Sequence, residues 1–545
     1  MNPIAIDAFV IVFYFVSIVA IGLYAGRRNR DLKEFALGGR SIPWWAVLAS
    51  IIAAETSAAT FLGTPAEGFK TRGFVYAQLV IGTILARVVI AFTFIKPYYR
   101  YRVQSIYEFL TVRFGEATKN MASGIFLFTR VLGIGVRLYL GGVIMVVIWR
   151  YFHPNDPITL MTYFVGILFV TTVTTFYTMV GGIKAVVWTD LIQALLMIGS
   201  VIFAVALLLG RVGGLGAVET AVGGWGNIAW AESGWDATLP FGMALKKMLE
   251  EPYTLFAAFI GSTFLTMATH GTDQDMVQRM LTATDYKKSR FSLILSGLAD
   301  IPIVLLFLSV GILLWVHYQS AGVPQVNGVD IADNEIFAHF IVNEMPVGMR
   351  GLIIAGVFAT MMGSTSAALN ALATSFTKDF YLPYLNKNAT DRDAVFTARF
   401  ATAVFGLLMV GVGTVAAYSV IHDPRLTIIP IAIGILGYTY GALLGVFLVG
   451  MLTSSRGRDA TNIVAMTLGI VAVFFLGKIA IPGTAIDFGK LMPDWWPKIS
   501  WPYYVLIGSL VTFFTGILFR TPQERIDGAI AHLADPGENT PETTV

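Results

Sequence analysis

The 545-residue sequence predicts an all-α, polytopic membrane protein with about thirteen transmembrane helices, its N-terminus outside and its C-terminus cytoplasmic. Three observations predict this. Hydrophobic residues make up 56% of the chain and charged residues 13%, about half the charged fraction of a soluble globular chain. Apolar runs recur at lengths near the roughly 20 residues a helix needs to cross a bilayer. Lys and Arg crowd alternate connecting segments, as the positive-inside rule requires of cytoplasmic loops.

In chain order the apolar runs fall near residues 8–26, 43–63, 74–96, 121–149, 158–178, 183–209, 253–270, 291–316, 349–377, 394–418, 427–453, 462–480 and 501–519. No basic residue precedes the first run, and Arg27, Arg28 and Arg30 follow it at once, so it reads as a retained span, not a cleavable leader. RRNRDLKEF, KPYYRYR, QRMLTATDYKKSR, SSRGRD and the linker over 378–399 carry the basic residues and are assigned to the cytoplasm. The opposite loops, 212–246 and 317–349, have none before Lys246. The Gly-rich stretch GGLGAVETAVGGWG is no phosphate loop, since no Lys-Ser/Thr follows it and no strand precedes it. It reads as an outside loop. The tail after Arg520 is polar and reads as partly disordered, with no soluble catalytic or sensor domain attached.

The net charge of +3 and the lack of a basic patch exclude a nucleic-acid partner. Absence of cysteine excludes disulfides and Fe–S ligation. Six scattered histidines offer no zinc-ligand spacing. No HExxH and no paired nucleophile and base appear, so an enzyme is not expected.

Two runs are interrupted. WWAVLASIIAAETSAATFLGTPAEG carries Glu55, Thr56, Ser57 and Thr60 in mid-run, and TMATHGTDQDMVQ loses apolarity well before its basic cluster. They lie five runs apart. Broken segments at matching places in two halves point to a transporter of inverted repeats, with the site at the breaks. The repeats are then 43–210 and 253–453. Residues 1–42 form an accessory helix and cytoplasmic loop, 211–252 an outer loop, 454–520 two accessory helices and 521–545 a cytoplasmic tail. This pairing rests on position and topology.

Four stretches carry a family likeness: FALGGRSIPWW, SIYEFLTVRFG, MVGGIKAVVWTDLIQ and ATMMGSTSAALNALATSFTKDF. With them the chain resembles the sodium:solute symporter family. The resemblance implies a LeuT-type fold with a 5+5 inverted repeat. It also implies Na⁺-coupled symport of a small polar organic solute by alternating access, in a multi-pass protein of a bacterial inner (plasma) membrane that functions as a monomer in the lipid bilayer. The partners implied are Na⁺ and the solute.

The resemblance also implies site residues. The main Na⁺ site would take carbonyls of Ala53, Thr56 and Thr360 and hydroxyls at 363 and 364. Here those are Gly363 and Ser364, so one hydroxyl ligand is missing, and Thr365 falls on the wrong face to replace it. The plainer alternative is that Ser and Gly at these positions only permit close helix packing. A second Na⁺ site would use Asp190 and Ser366, but Ala367 replaces another expected serine. Asp190 lies deep in an apolar run, which marks it as functional by default. The alternative is a structural carboxylate bonded to Thr189 or nearby backbone.

The family's substrate pocket would be lined by Glu55, Ser57, Thr60, Gln78, Arg137, His270, Asp300 and Tyr438, with Tyr440 beside it. Glu55 either neutralises Na⁺, binds a cationic substrate group, carries a proton or faces a solvated vestibule. His270 reads most simply as an ordinary buried histidine. Arg137 suits bidentate carboxylate binding, or else pairs with Glu55 or Asp300. That favours a carboxylate-bearing solute over a neutral sugar. Arg130, two turns from Arg137 on the same face, is expected nearer the cytoplasm, facing lipid headgroups or a loop. Two rivals stand beside sodium symport: a proton-coupled cycle through Glu55 and Asp190, and a transporter-like membrane sensor.

Overall fold

In the lipid core each backbone N–H and C=O must find a partner within the protein, and helices do this within one segment. The computed structural model describes residues 3–28, 31–152, 159–326, 329–331, 333–422, 428–480 and 487–534. Arg30, the starts of the runs at 158 and 427, and the tail from 535 lie outside these. Among the described residues the regular elements are helices, apart from two two-residue strands, Gln325–Val326 and Val329–Asp330, paired antiparallel.

The helices run in order: α1 (Pro3–Ala25), α2 (Leu32–Leu37), α3 (Trp44–Glu55), α4 (Ala58–Thr71), α5 (Leu79–Thr93), α6 (Ile95–Arg100) and α7 (Glu108–Arg113). Next come α8 (Glu116–Phe152), α9 (Leu160–Val212), α10 (Leu215–Ala221), α11 (Phe241–Glu250), α12 (Ser262–Gly271), α13 (Gln274–Met280) and α14 (Tyr286–Ala321). The remainder are α15 (Asp333–Glu344), α16 (Met349–Ser375), α17 (Asp391–His422), α18 (Ile428–Leu452), α19 (Asp459–Leu476), α20 (Tyr504–Ile517) and α21 (Gln523–Ala534).

Among the described residues nine helical stretches are long and apolar enough to cross a membrane. The α3–α4 pair, bent by 61°, makes a tenth. The 53 residues of α9 change direction at Gly182, whose φ of 57° and ψ of −156° only glycine takes without strain. The bend separates the two runs expected there. Both interrupted runs are broken where the sequence loses apolarity, at Thr56–Ser57 and at Thr272–Asp273. At the centre stands α16, buried on every side from Ile353 to Ser375 and packed on α1, α3, α8, α9 and α17.

One loop expectation is corrected. The Gly-rich stretch read as an outside loop contains α10, where Leu215, Ala217, Glu219 and Ala221 favour helix between bracketing glycines. The tail contains α21, whose Ile526, Ala529 and Ile530 recur at helical spacing and close a cavity of about 420 Å³ with Tyr101 and Phe109.

At Gly68 and Gly311, helix α4 meets α14 backbone to backbone. A Cβ on Gly311 would lie 2.0 Å from the Pro65 carbonyl oxygen, and one on Gly68 would lie 2.4 Å from that of Leu308. Gly311→Ala is therefore expected to destabilise by about 1–3 kcal/mol or more, read as a lower thermal midpoint in detergent. Gly199→Ala, where nothing lies within 4 Å, should leave the midpoint unchanged or raise it.

Candidate functional site

At the first break α3 ends on Glu55 and Thr56 turns out of the helix at φ −82°, ψ 93°. The last carbonyls of α3 lose their partners four residues on. The last bond in register is Thr56 N to Ile52 O, at 3.1 Å. Ala53, Thr56 and Ser57 are buried there. Facing them on α16, Ser364 Oγ donates to Thr360 O and Met361 O, both at 3.1 Å, which leaves its lone pairs open. Gly363 comes closest: a Cβ on it would lie 3.3 Å from Ala53 O. Ser366 Oγ donates back to Gly363 O at 3.1 Å and Thr365 Oγ1 to Met361 O at 2.7 Å.

The second break is sealed instead of open. Tyr98 Oη donates to Gly271 O at 2.6 Å and Tyr107 Oη to Thr272 O at 3.3 Å. Gln274 Oε1 accepts from Ile106 N at 2.8 Å. The stretch SIYEFLTVRFG therefore plugs this break.

From the second break a chain of buried charges runs to Asp190. Tyr440 Oη donates to Asp273 Oδ2 at 2.7 Å, and Arg130 bonds both Asp273, at 3.0 Å, and Asp275. Arg279 joins Asp275 to Asp190, the latter at 3.0 Å, and donates to Ser50 Oγ at 2.8 Å. Ser50 Oγ in turn donates to Asp190 Oδ2 at 2.6 Å. Two expectations are corrected here. Arg130 faces neither lipid nor loop: it is 4% exposed and held by the aspartates of the broken helix, which helical spacing on α8 alone does not disclose. Asp190 does not bond Thr189, whose Oγ1 is spent on Ala185 O and Val186 O.

A second cluster gathers at the first break, where Arg87 on α5 bonds Glu55 and, at 2.9 Å, Asp300 on α14. His270 Nε2 also meets Glu55, while Thr269 Oγ1 lies 2.9 Å from its Nδ1. His270 is thus a partner of the break and not an isolated buried histidine. Arg137 pairs with neither acid, because Arg87 reaches both. It is half-buried and has no ion pair among the described residues. Gln78 is buried, with Oε1 accepting from Glu232 N of the outer loop at 3.1 Å. Ser57 and Thr60 flank the break as expected. Tyr438 turns away: its ring packs on Phe474 and Tyr504 of α19 and α20. Two helical steps, about 200° of turn, separate it from Tyr440, which faces Asp273.

Sequence reasoning missed Arg87, Asp273, Asp275, Arg279, Gln193 and Ser50 as site residues. Arg87 was visible as a cation in the middle of LVIGTILARVVIAF, a signal equal to that of Asp190. Arg279 was counted with the cytoplasmic basic cluster, although it is wholly buried.

The profile of the sodium:solute symporter family matches residues 35–469. The chain belongs to that family. Among its relatives is the sodium/sialic acid symporter SiaT of Proteus mirabilis, 26% identical over 512 residues, 93% of this chain and 92% of the relative. The sodium-coupled monocarboxylate transporter 2 of Mus musculus is 26% identical over 537 residues, covering 92% and 80%. A solved Na⁺-coupled sialic acid symporter in a substrate-bound, outward-open state superposes with a TM-score of 0.76 at 23% identity, covering 94% of this chain and 97% of that one. The symporter fold is therefore common to both. Members of this family are transporters and not enzymes, as expected.

Arg87→Ala leaves Glu55 and Asp300 without their shared cation. Removing one partner of a buried pair costs about 3–5 kcal/mol. The variant should show a lower thermal midpoint, and adding Glu55→Gln and Asp300→Asn should recover a substantial part of it.

Proposed function

We propose that the chain carries a carboxylate-bearing organic solute inward together with Na⁺, by alternating access, across a plasma (inner) membrane that it crosses thirteen times with its N-terminus outside. Arg137 supports this reading most directly. Arg87, Arg130 and Arg279 are each closed off by carboxylates, whereas Arg137, on the same helix as Arg130, has none. A guanidinium with no direct ion pair inside the bundle is costly and is matched by an incoming anion. The relatives' names agree with this reading, since sialic acid and monocarboxylates both carry a carboxylate.

In this reading Na⁺ enters from outside to the unpartnered end of α3, between Ala53 and Thr56 on one side and Thr360 and Ser364 on the other. It neutralises the break and favours the outward-open form. The solute then places its carboxylate on Arg137, with Ser57 and Thr60 beside it. Closure above and opening below complete the cycle. Each charge moved through 100 mV contributes roughly 2.3 kcal/mol, or about fiftyfold accumulation.

A thermal-shift screen of purified protein against carboxylic acids, amino acids and sugars, in Na⁺ and in choline, tests ion and solute together. A carboxylate-dependent, Na⁺-dependent shift is expected. Arg137→Gln should weaken it about tenfold to a hundredfold, the value of a charge-assisted hydrogen bond. Ser364→Ala should weaken the Na⁺ affinity read in uptake about tenfold, and unchanged Na⁺ dependence would remove Ser364 from the ion's shell. Uptake driven by a pH gradient without Na⁺ would instead favour a proton carried by the Glu55–His270 pair.

A further inference from the structure

Position 363 is glycine, so α16 offers one hydroxyl fewer than an ion beside the break needs. Other oxygens occupy that place. A Cβ built on Gly363 would lie 2.9 Å from Gln193 Oε1, 3.3 Å from Ala53 O and 3.5 Å from Asp190 Oδ1. Gln193 and Asp190 are 1% and 0% exposed, and neither of these two side-chain oxygens has a hydrogen-bond partner. Ala53 O belongs to the open last turn of α3. Buried acceptors without partners are rare and costly. Three of them facing one space cannot satisfy each other, because all are electron-rich.

Their neighbours hold them so. Gln193 Nε2 points to Tyr14 Oη at 3.4 Å, which turns Oε1 toward Gly363. Asp190 Oδ2 is fixed by Ser50 and Arg279, which leaves Oδ1 facing the same space. Charge leads to the same point. Among the described residues the buried chain pairs Asp273, Asp275 and Asp190 directly with two guanidinium groups, those of Arg130 and Arg279. Both oxygens of Asp273 and both of Asp275 accept bonds, as does Asp190 Oδ2. Asp190 Oδ1 is the one oxygen of the three carboxylates left over.

We propose that Asp190 Oδ1 and Gln193 Oε1, with the Ala53 carbonyl, bind the coupling cation beside Gly363, the two α9 side chains standing in for the hydroxyl that position 363 lacks. This rests on the sodium-coupled reading above and names ligands for it. Asp190 then serves this ion, not a separate second one. Carboxylate, amide and peptide oxygens are hard donors suited to an alkali cation. Glycine at 363 follows from the same arrangement: a side chain there and Gln193 Oε1 would compete for one space.

The test is Na⁺ titration of purified protein, with choline keeping ionic strength constant and the thermal midpoint as readout. Gln193→Met keeps the side-chain bulk and removes the oxygen. It should raise the half-maximal Na⁺ concentration about tenfold, at an unchanged midpoint in choline. Gln193→Ala should do the same, and Gln193→Ala with Gly363→Ser should regain most of the loss by restoring a hydroxyl in the vacated space. Gln193→Glu should bind Na⁺ at least as tightly as the wild type. An unchanged Na⁺ half-point in both Gln193→Met and Gln193→Ala overturns the ligand assignment and leaves sodium coupling standing. A wild-type protein whose midpoint ignores Na⁺ overturns sodium coupling itself.

Discussion

Arg279 has no exposed surface, and it fastens three elements at once: Ser50 of α3, Asp190 of α9 and Asp275 of α13. Both interrupted helices are therefore pinned to the same continuous one. Such an arrangement is hard to take apart, since a buried pair stripped of one member leaves a bare charge. Arg130 extends it to α8, and Tyr440 extends it to α18. The interior of this bundle is organised by ion pairs as much as by apolar packing. That is the expected state of ionisable groups at membrane depth, which pair or line a pathway.

The two breaks differ in how their backbone groups are met. Irregular backbone inside a membrane is tolerated only where protein or a cavity satisfies it. Around the second break, tyrosine hydroxyls and Gln274 perform that task. Around the first, the carbonyl end of α3 stays open and faces the small residues of α16. The asymmetry separates a joint sealed by side chains from one whose carbonyl end stays open. The cluster of Glu55, Arg87, Asp300 and His270 stands at the open break, with two carboxylates around one guanidinium.

Much of this was legible in the sequence. Run length and loop charge gave the helices, and loss of apolarity at Thr56 and Thr272 located both breaks within a residue or two. Buried Asp190 announced itself as a charge in an apolar run. What could not be read was pairing. Glu55 and Asp300 find Arg87, and not Arg137, because α14 packs on both α3 and α5, a fact of three-dimensional arrangement. Tyr438 and Tyr440 look equivalent in a list, yet two residues of helix turn them to opposite sides. Arg279 hid among the exposed cations of its connecting segment because burial there begins before apolarity does. Gln193 carried no signal of its own: a neutral amide three residues after an aspartate takes on meaning only when Gly363 arrives beside it.

The contact of α4 with α14 through Gly68 and Gly311 has a mechanical consequence. Backbone touches backbone at that crossing, and the Phe61 and Phe307 rings lock edge to face beside it, so the two helices move as one piece. On the far side of Thr56–Ser57, α3 is riveted to α9 by Ser50, Asp190 and Arg279. Any displacement of α14 against α9 must then be absorbed by those two residues. Occupancy of the ion site and rotation of the joint become a single degree of freedom, because the carbonyls that would hold the ion are those whose directions the joint sets.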